Sequence, residues 1–322
     1  MTHREELERA VQALRRGELV GLPTETVYGL GADASNELAV RRIFAAKGRP
    51  STHPLIVHLE SAQKARAWST GLTQMGETLA AAFWPGPLTL IVRRSALASD
   101  AVTGGQDTVG LRVPSHPLAL ELLAAFGGGI AAPSANRFGK LSPTTAQHVR
   151  DELGGEVALV LDGGPCTVGV ESTIVDVTGS GPRLLRPGGV SMEALEAALG
   201  RPVARAEQAT DVRAPGMLES HYAPRAGVRL VAAAEVAGAV AREQGRGARV
   251  AVLAGREVPR VPGATWFGSA EDAGAFARVL YATLREADAV ADVILVVPPA
   301  ESGLGLAVAD RLRRAAAPRP AK

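Results

Sequence analysis

Hydroxyls, cations and two histidines recur in this chain at the ends of short apolar runs, where a strand would hand them to a loop. Pro23-Thr24-Glu25-Thr26-Val27-Tyr28-Gly29-Leu30-Gly31 follows the run Leu19–Leu22 directly. A threonine hydroxyl both donates and accepts, so this loop can hold a polar ligand or brace its own turn. Lys47-Gly48-Arg49-Pro50 closes a helical stretch from Glu37 to Ala46. Two cations there suit the helix dipole. They equally suit phosphate, with arginine as a fork and lysine as a mobile point charge. The pattern is not a Walker loop, because Gly-x-x-x-x-Gly-Lys-Ser/Thr is absent.

His53 and His58 flank the start of the apolar run in His53-Pro54-Leu55-Ile56-Val57-His58, with His58 out of phase with Leu55 and Val57. Gly110-Leu111-Arg112-Val113-Pro114 sets a cation inside an apolar strand. Such a charge is costly unless paired, and a bound carboxylate is one available partner. Ala131-Ala132-Pro133-Ser134-Ala135-Asn136 follows another short strand, and Ser142-Pro143-Thr144-Thr145 opens a helix, with Thr144 as a candidate cap. Hydroxyls and amides near a helix N-terminus form an anion cradle. Glu171-Ser172-Thr173, Arg186-Pro187-Gly188 and Ser220-His221-Tyr222-Ala223-Pro224 complete the polar set.

The elements that must position these residues alternate between strand and helix. Thr2 and Glu5 have capping-box spacing ahead of a helix carrying Leu7, Ala10, Val11 and Leu14, which Gly17 stops. Strands are predicted at Leu55–Leu59, Leu88–Val92, Val109–Val113, Val157–Leu161 and Ser172–Val177, and helices at Pro117–Phe126 and Ser191–Leu199. That is α/β, with a partly mixed sheet. Periodicity stops between Arg201 and Gly227, a linker long enough to be functional. A fresh strand–helix alternation follows, at Val228–Ala232, Ala234–Glu243, Arg249–Leu253, Ala273–Arg285, Val293–Val297 and Leu304–Arg314. It reads as a small open, Rossmann-like α/β domain. The expected division is 1–205, 206–227 and 228–322.

Taken in order, Pro-Thr-Glu-Thr-Val-Tyr-Gly-Leu, Lys-Gly-Arg-Pro, Trp84-Pro85-Gly86-Pro87-Leu88-Thr89, Leu111-Arg112-Val113-Pro114, Pro133-Ser134-Ala135-Asn136, Glu171-Ser172-Thr173 and Arg186-Pro187-Gly188 resemble the YrdC-like threonylcarbamoyl-AMP synthases. His221-Tyr222-Ala223-Pro224, Gly303-Leu304-Gly305 and Asp310-Arg311-Leu312 resemble the long, two-domain branch. The resemblance implies a twisted mixed sheet with helices. It also implies a nucleotidyltransferase that joins L-threonine, bicarbonate and ATP into threonylcarbamoyl-AMP and pyrophosphate. Thr26, His58, Arg112, the backbone at Ala132, and Ser172 would hold threonine. Lys47, Arg49, His53, Thr108, Ser134, Asn136, Ser142, Arg186 and Tyr222 would hold ATP, with Lys47, Arg49, Ser134 and Asn136 nearest the chemistry. His53 departs from the asparagine-like residue expected there, and Thr24 is a near alternative to Thr26. The linker would fold over the ATP site as a lid. Mg²⁺ would arrive with ATP, with no protein cage of its own. A tRNA threonylcarbamoyl-transferase complex would consume the product, and tRNA contact would be weak.

Composition narrows the alternatives. The chain has 322 residues and a formal charge of +2, with no aromatic–basic stripe, which argues against a nucleic-acid binder without catalysis. Its single cysteine, Cys166, cannot build the zinc fingers that accompany such domains in larger carbamoyl-handling proteins, nor an internal disulfide. No apolar run approaches the ~18 residues of a membrane span and no signal-peptide pattern opens the chain, so a cytoplasmic enzyme is expected.

Overall fold

The computed structural model describes residues 2–206, 212–216, 222–268 and 272–318. Ser220, His221 and most of the tail after Ala317 lie outside them. Ten strands build the first sheet: β1 Val20–Leu22, β2 Gly29–Asp33, β3 Ile56–His58, β4 Leu88–Arg93, β5 Thr108–Arg112, β6 Ile130–Ala131, β7 Leu159–Val160, β8 Thr173–Asp176, β9 Arg183–Arg186 and β10 Ala204–Arg205. Their order is β10-β9-β8-β4-β5-β3-β6-β2-β1-β7. Parallel pairs (β1/β7, β3/β5, β4/β8, β9/β10) are interleaved with antiparallel ones (β1/β2, β2/β6, β3/β6, β4/β5, β8/β9). The expected mixed sheet is therefore present.

Thr2 caps helix His3–Arg15 in a complete capping box with Glu5, and helix Pro117–Phe126 runs as the spacing predicts, opening on proline and ending at Gly127. Three sequence readings are corrected. Gly29-Leu30-Gly31, read as loop, is strand β2, paired with β1 and β6. Thr145, not Thr144, caps helix Ala146–Leu153, its hydroxyl accepting from His148 N. The linker read as patternless from Arg201 opens with β10, which adds to β9. Helix Gln74–Phe83 and strand β9 were not anticipated.

Four parallel strands form a second sheet in the order β11-β14-β12-β13: β11 Gly227–Leu230, β12 Val250–Leu253, β13 Thr265–Phe267 and β14 Val293–Val296. Helix Val236–Gln244 packs on one face, through Val236, Ala239 and Val240 against Val250, Val252 and Leu295. Helices Ala273–Val290 and Gly305–Ala316 cover the other, through Leu280, Leu284, Val308 and Leu312 against Ala251, Ile294 and Val296. That second layer also packs against Val27, Leu141 and Val170 of the first unit. Gly169 is where the backbones approach: a Cβ there would lie 2.4 Å from the Ala277 carbonyl.

Candidate active site

A cavity opens on the face of the first sheet that carries Ile56 and His58 of β3 and Arg112 of β5. The parallel register sets His58 opposite Arg112. Both sheet faces are covered, which is why His58 tolerates being out of phase with buried Val57. Arg112 donates from Nη2 to Glu25 Oε1 at 2.7 Å and from Nε to the Gly86 carbonyl at 3.3 Å. Both ionic side chains are buried, at 5% and 7% exposure. The buried cation anticipated from sequence thus has a protein partner, Glu25. Two of its five N–H donors are engaged in these bonds. Burial, and then the Arg112 charge, hold His58 down at about 3, so the imidazole is neutral, and its Nδ1 has no hydrogen-bond partner.

The loop between β1 and β2 resolves the two threonines. Thr24 Oγ1 donates to the Val27 carbonyl at 2.6 Å, which uses its one proton. The 2.8 Å bond between Thr24 and Thr26 hydroxyls must therefore be donated by Thr26. Thr26, fully buried on the cavity wall, is left with lone pairs to offer. Thr24 also lines the cavity, but its hydroxyl braces the turn. Ala132 and Ser134 line the same wall just beyond β6.

Arg49 reaches the cavity from beyond helix Glu37–Lys47. It donates from Nη2 to the Pro54 carbonyl at 2.9 Å, and its buried Nε has no partner. Burial lowers its pKa to about 10, still fully charged at neutral pH. Lys47 is placed differently. Its ammonium does not line the cavity but donates to the Ser134 and Asn136 carbonyls, and burial pushes its pKa well below the usual lysine range. Asn136 donates to the Arg137 and Lys140 carbonyls and leaves its buried Oδ1 unpartnered. Ser142, behind the wall, donates to Glu171 at 2.6 Å. His53 lies edge-on to Phe138, 5.5 Å between ring centroids. Thr108 opens β5 on the face that carries Arg112. Strand rise puts the two about 13 Å apart, and Gly110 between them leaves the floor flat beside Ile56 and Ile91.

Opposite stands Arg186, at the end of β9. Its Nε and Nη2 donate to the Ser172 carbonyl (3.2 and 2.8 Å), Nη2 to the Ser172 hydroxyl (3.1 Å), and Nη1 to Pro215 of the linker (3.0 Å). Ser172 also bonds Thr89 of β4 at 2.8 Å. Gly188 is required here, since a Cβ would lie 2.3 Å from the Glu171 carbonyl. Linker residues Pro215, Gly216 and Tyr222 close the cavity, while Ala214 covers the apolar floor of Ile56, Ile91, Ile174 and Leu185. Tyr222 is buried at φ +59, in the left-handed region that non-glycine residues seldom adopt. The cavity has a volume of about 540 Å³ including its open mouth.

Sequence reasoning missed the two carboxylates that organise this site, Glu25 and Glu171, and the C-terminal residues that reach it. Glu171 lines the cavity and is bonded by Arg311 Nε (2.6 Å) and the Tyr281 hydroxyl (3.0 and 3.1 Å). Burial pulls its carboxyl up, but Arg311, Arg186 and the Ser142 hydroxyl outweigh that and hold it at about 2. Its glutamate–serine–threonine motif was visible; nothing local announced its partner. Cys166 is a buried turn residue whose thiol burial pushes up to about 12, away from the thiolate form.

Known proteins resemble the chain over nearly its whole length. Residues 12–188 match the Sua5/YciO/YrdC family, described as telomere recombination, and residues 190–317 match the family described as threonylcarbamoyl-AMP synthase, C-terminal domain. The threonylcarbamoyl-AMP synthase of Pyrococcus abyssi is 42% identical over 94% of this chain and 91% of its own. That of Bacillus subtilis is 41% identical over 98% and 94%. The crystal structure of Pyrococcus abyssi Sua5 complexed with L-threonine superposes with a TM-score of 0.93 at 40% identity, covering 98% of this chain and 95% of that one. With both units matched in order, and relatives of this identity aligned end to end, the chain belongs to the two-domain Sua5 branch of the Sua5/YciO/YrdC family.

Proposed function

We propose that this enzyme is an L-threonylcarbamoyladenylate synthase, an adenylyl transferase acting on ATP and L-threonine. The observation that carries the reading is the cavity's division into two unlike corners. One holds a guanidinium already neutralised by Glu25, beside a neutral imidazole and an acceptor hydroxyl. The other holds Arg49 and Arg186, whose hydrogen bonds go to neutral oxygens rather than to carboxylates. The first suits an amino acid, with Arg112 on its carboxylate and Thr26, His58, Ala132 and Ser172 around it. The second suits a triphosphate, with Ser134, Asn136 and Ser142 behind it and Thr108 and His53 toward the nucleoside end.

The threonine amine, its proton lost to solvent, attacks the bicarbonate carbon to form a carbamate with loss of water, and a carbamate oxygen then attacks the α-phosphorus as pyrophosphate leaves. Little proton transfer is needed. The protein's part is to align the two corners and stabilise charge moving onto the leaving group. Among the described residues no group of three His, Cys, Asp or Glu could hold a metal. The one carboxylate on the nucleotide side, Glu171, is bound by Arg311, Tyr281 and Ser142. In this reading Mg²⁺ comes as the companion of ATP, carried by phosphate oxygens and water. Lys47 acts from behind, fixing the loop that presents Ser134 and Asn136.

Pro215, Gly216 and Tyr222 of the linker wall the cavity, and in this reading they lift to admit ATP. Residues 206–227, of which 207–211 and 217–221 lie outside the described residues, would then close as a lid, Tyr222 against the nucleotide, and keep water from a reactive mixed anhydride. Protease cleavage in the linker should be fast in the free enzyme and slow with ATP and threonine bound; equal rates would leave the linker a tether. The product passes to a tRNA threonylcarbamoyl-transferase complex, with at most weak direct contact to tRNA. No helix among the described residues is long and apolar enough to cross a membrane, and the setting we propose is cytoplasmic. Mass spectrometry of the product from ATP, threonine and ¹³C-bicarbonate tests the reaction. A labelled threonylcarbamoyl-AMP is expected, and ATP consumption that ignores threonine would overturn it.

A further inference from the structure

The stretch Asp310-Arg311-Leu312 has no part in the chemistry above, yet Arg311 is among the largest fully buried side chains of the protein. It sits on helix Gly305–Ala316 of the C-terminal unit and reaches across to the first. Nε donates to Glu171 Oε2 at 2.6 Å, Nη2 to the Pro187 carbonyl at 3.0 Å, and Nη1 to Asp310 at 2.6 Å. Tyr281, on the neighbouring helix, donates to the same carboxylate. Arg311 also lies 5.1 Å over the Tyr222 ring, and Tyr281 stands 5.9 Å from it.

Glu171 is thus a buried carboxylate with two guanidiniums in electrostatic reach, Arg311 on one side and Arg186 on the other. It bonds only the first. Among the described residues, the Arg186 hydrogen bonds go to Ser172 and Pro215, which keeps that guanidinium on the cavity wall. Were Arg311 absent, Arg186 would be the cation left to compensate a buried negative charge, and such a charge is too costly to leave unpaired. We propose that Arg311 is a positioning residue for the nucleotide: by claiming Glu171 it leaves Arg186 on the cavity wall with its charge available to phosphate. The C-terminal unit thereby completes the ATP corner, while Arg311 makes no hydrogen bond to Thr26, His58, Arg112 or Ala132 among the described residues. This rests on the reading of that corner as the ATP site.

The test is carried out on the full chain, with pyrophosphate release giving KM for ATP and calorimetry giving the Kd of L-threonine alone. Arg311→Met should raise KM for ATP by about tenfold or more while threonine affinity stays within about threefold. Removing the carboxylate as well, in Glu171→Gln/Arg311→Met, should recover most of the loss, because nothing then draws Arg186 away. Arg311→Lys, which keeps the charge and is the second variant should the methionine not fold, should stay much closer to the parent than Arg311→Met. An unchanged KM for ATP in Arg311→Met would overturn the proposal. So would a double variant as impaired as Arg311→Met, equal losses in the Lys and Met variants, or a parallel fall in threonine affinity. If the parent enzyme releases no pyrophosphate from ATP, threonine and bicarbonate, the function is what fails, and calorimetric ATP affinity of the same variants still decides the role of Arg311.

Discussion

The two corners of the cavity solve one problem in different ways. Each presents an arginine to a ligand, and each has a glutamate nearby. At Arg112 the glutamate binds the arginine itself, and both come from the first unit. At Arg186 the glutamate is taken by a third party, Arg311, from the second unit. On the proposed assignment the difference follows the ligands. An amino acid carries one carboxylate, so a guanidinium already neutralised by Glu25 would serve it, whereas a triphosphate needs cations left unneutralised. The arginine–glutamate pair proposed for the amino acid comes from one unit, and the pair beside the proposed nucleotide corner joins both units.

The largest break should come from Arg112→Ala, which should weaken threonine binding by about 2–5 kcal/mol and leave ATP binding in place; calorimetry with each ligand reads both. Arg49→Ala and Lys47→Ala should part company. Arg49→Ala should collapse turnover with little change in the melt, because its loss leaves one orphaned carbonyl, that of Pro54. Lys47→Ala should lower turnover and also stability by about 1–3 kcal/mol, because the Ser134 and Asn136 carbonyls lose a buried donor. Equal melts would return Lys47 to the nucleotide.

The corners should also fail in different pH windows. His58 titrates at 6.5 when unfolded and about 3 when folded, so the unfolded state binds more protons and stability falls as pH drops below 6.5. At pH 5 this is about 2 kcal/mol, and His58→Gln should remove it; half-buried His53 and His148 act in the same direction and remain. Glu171, at 4.5 unfolded and about 2 folded, stabilises fully above 4.5 and loses that only as pH falls toward 2. Melts from pH 7 to 3 on both proteins check the order. The smallest effect is Tyr281→Phe. Losing one donor to a charged acceptor should cost about 1.5 kcal/mol and raise KM for ATP, with threonine affinity unchanged.

Strands and helices with strong local patterns were legible. Pro117–Phe126 has proline at its start, glycine at its end and leucines between, and it folds as read. Strand β2 was hidden because Gly29 and Gly31 carry no strand propensity. They are glycine for close packing, since a Cβ would press on Ala132 and Leu22 at Gly29 and on Ile130 at Gly31. Helix Gln74–Phe83 shows only Gly76, Leu79 and Ala80 as buried residues, too few for a stripe. In the site, Thr26, His58, Arg112, Arg49, Ser172 and Arg186 converge as their motifs imply. Lys47 was read as a phosphate ligand from its sequence neighbours, and the fold sets its ammonium against the Ser134 and Asn136 carbonyls, a contact no local pattern announces. Glu25 and Glu171 were passed over because a carboxylate's meaning lies in its partner, and theirs stand 87 and 140 residues away.

Those separations set a schedule for synthesis. On a ribosome adding about 5–20 residues per second, Arg311 emerges roughly ten to forty seconds after Arg112. During that interval Glu25 already has its arginine and the amino-acid corner can fold around it. Glu171 has been made but not matched, and a carboxylate without its partner stays in water rather than enter the sheet face. On that schedule the arginine–glutamate pair proposed to serve threonine would form before the pair proposed to serve ATP.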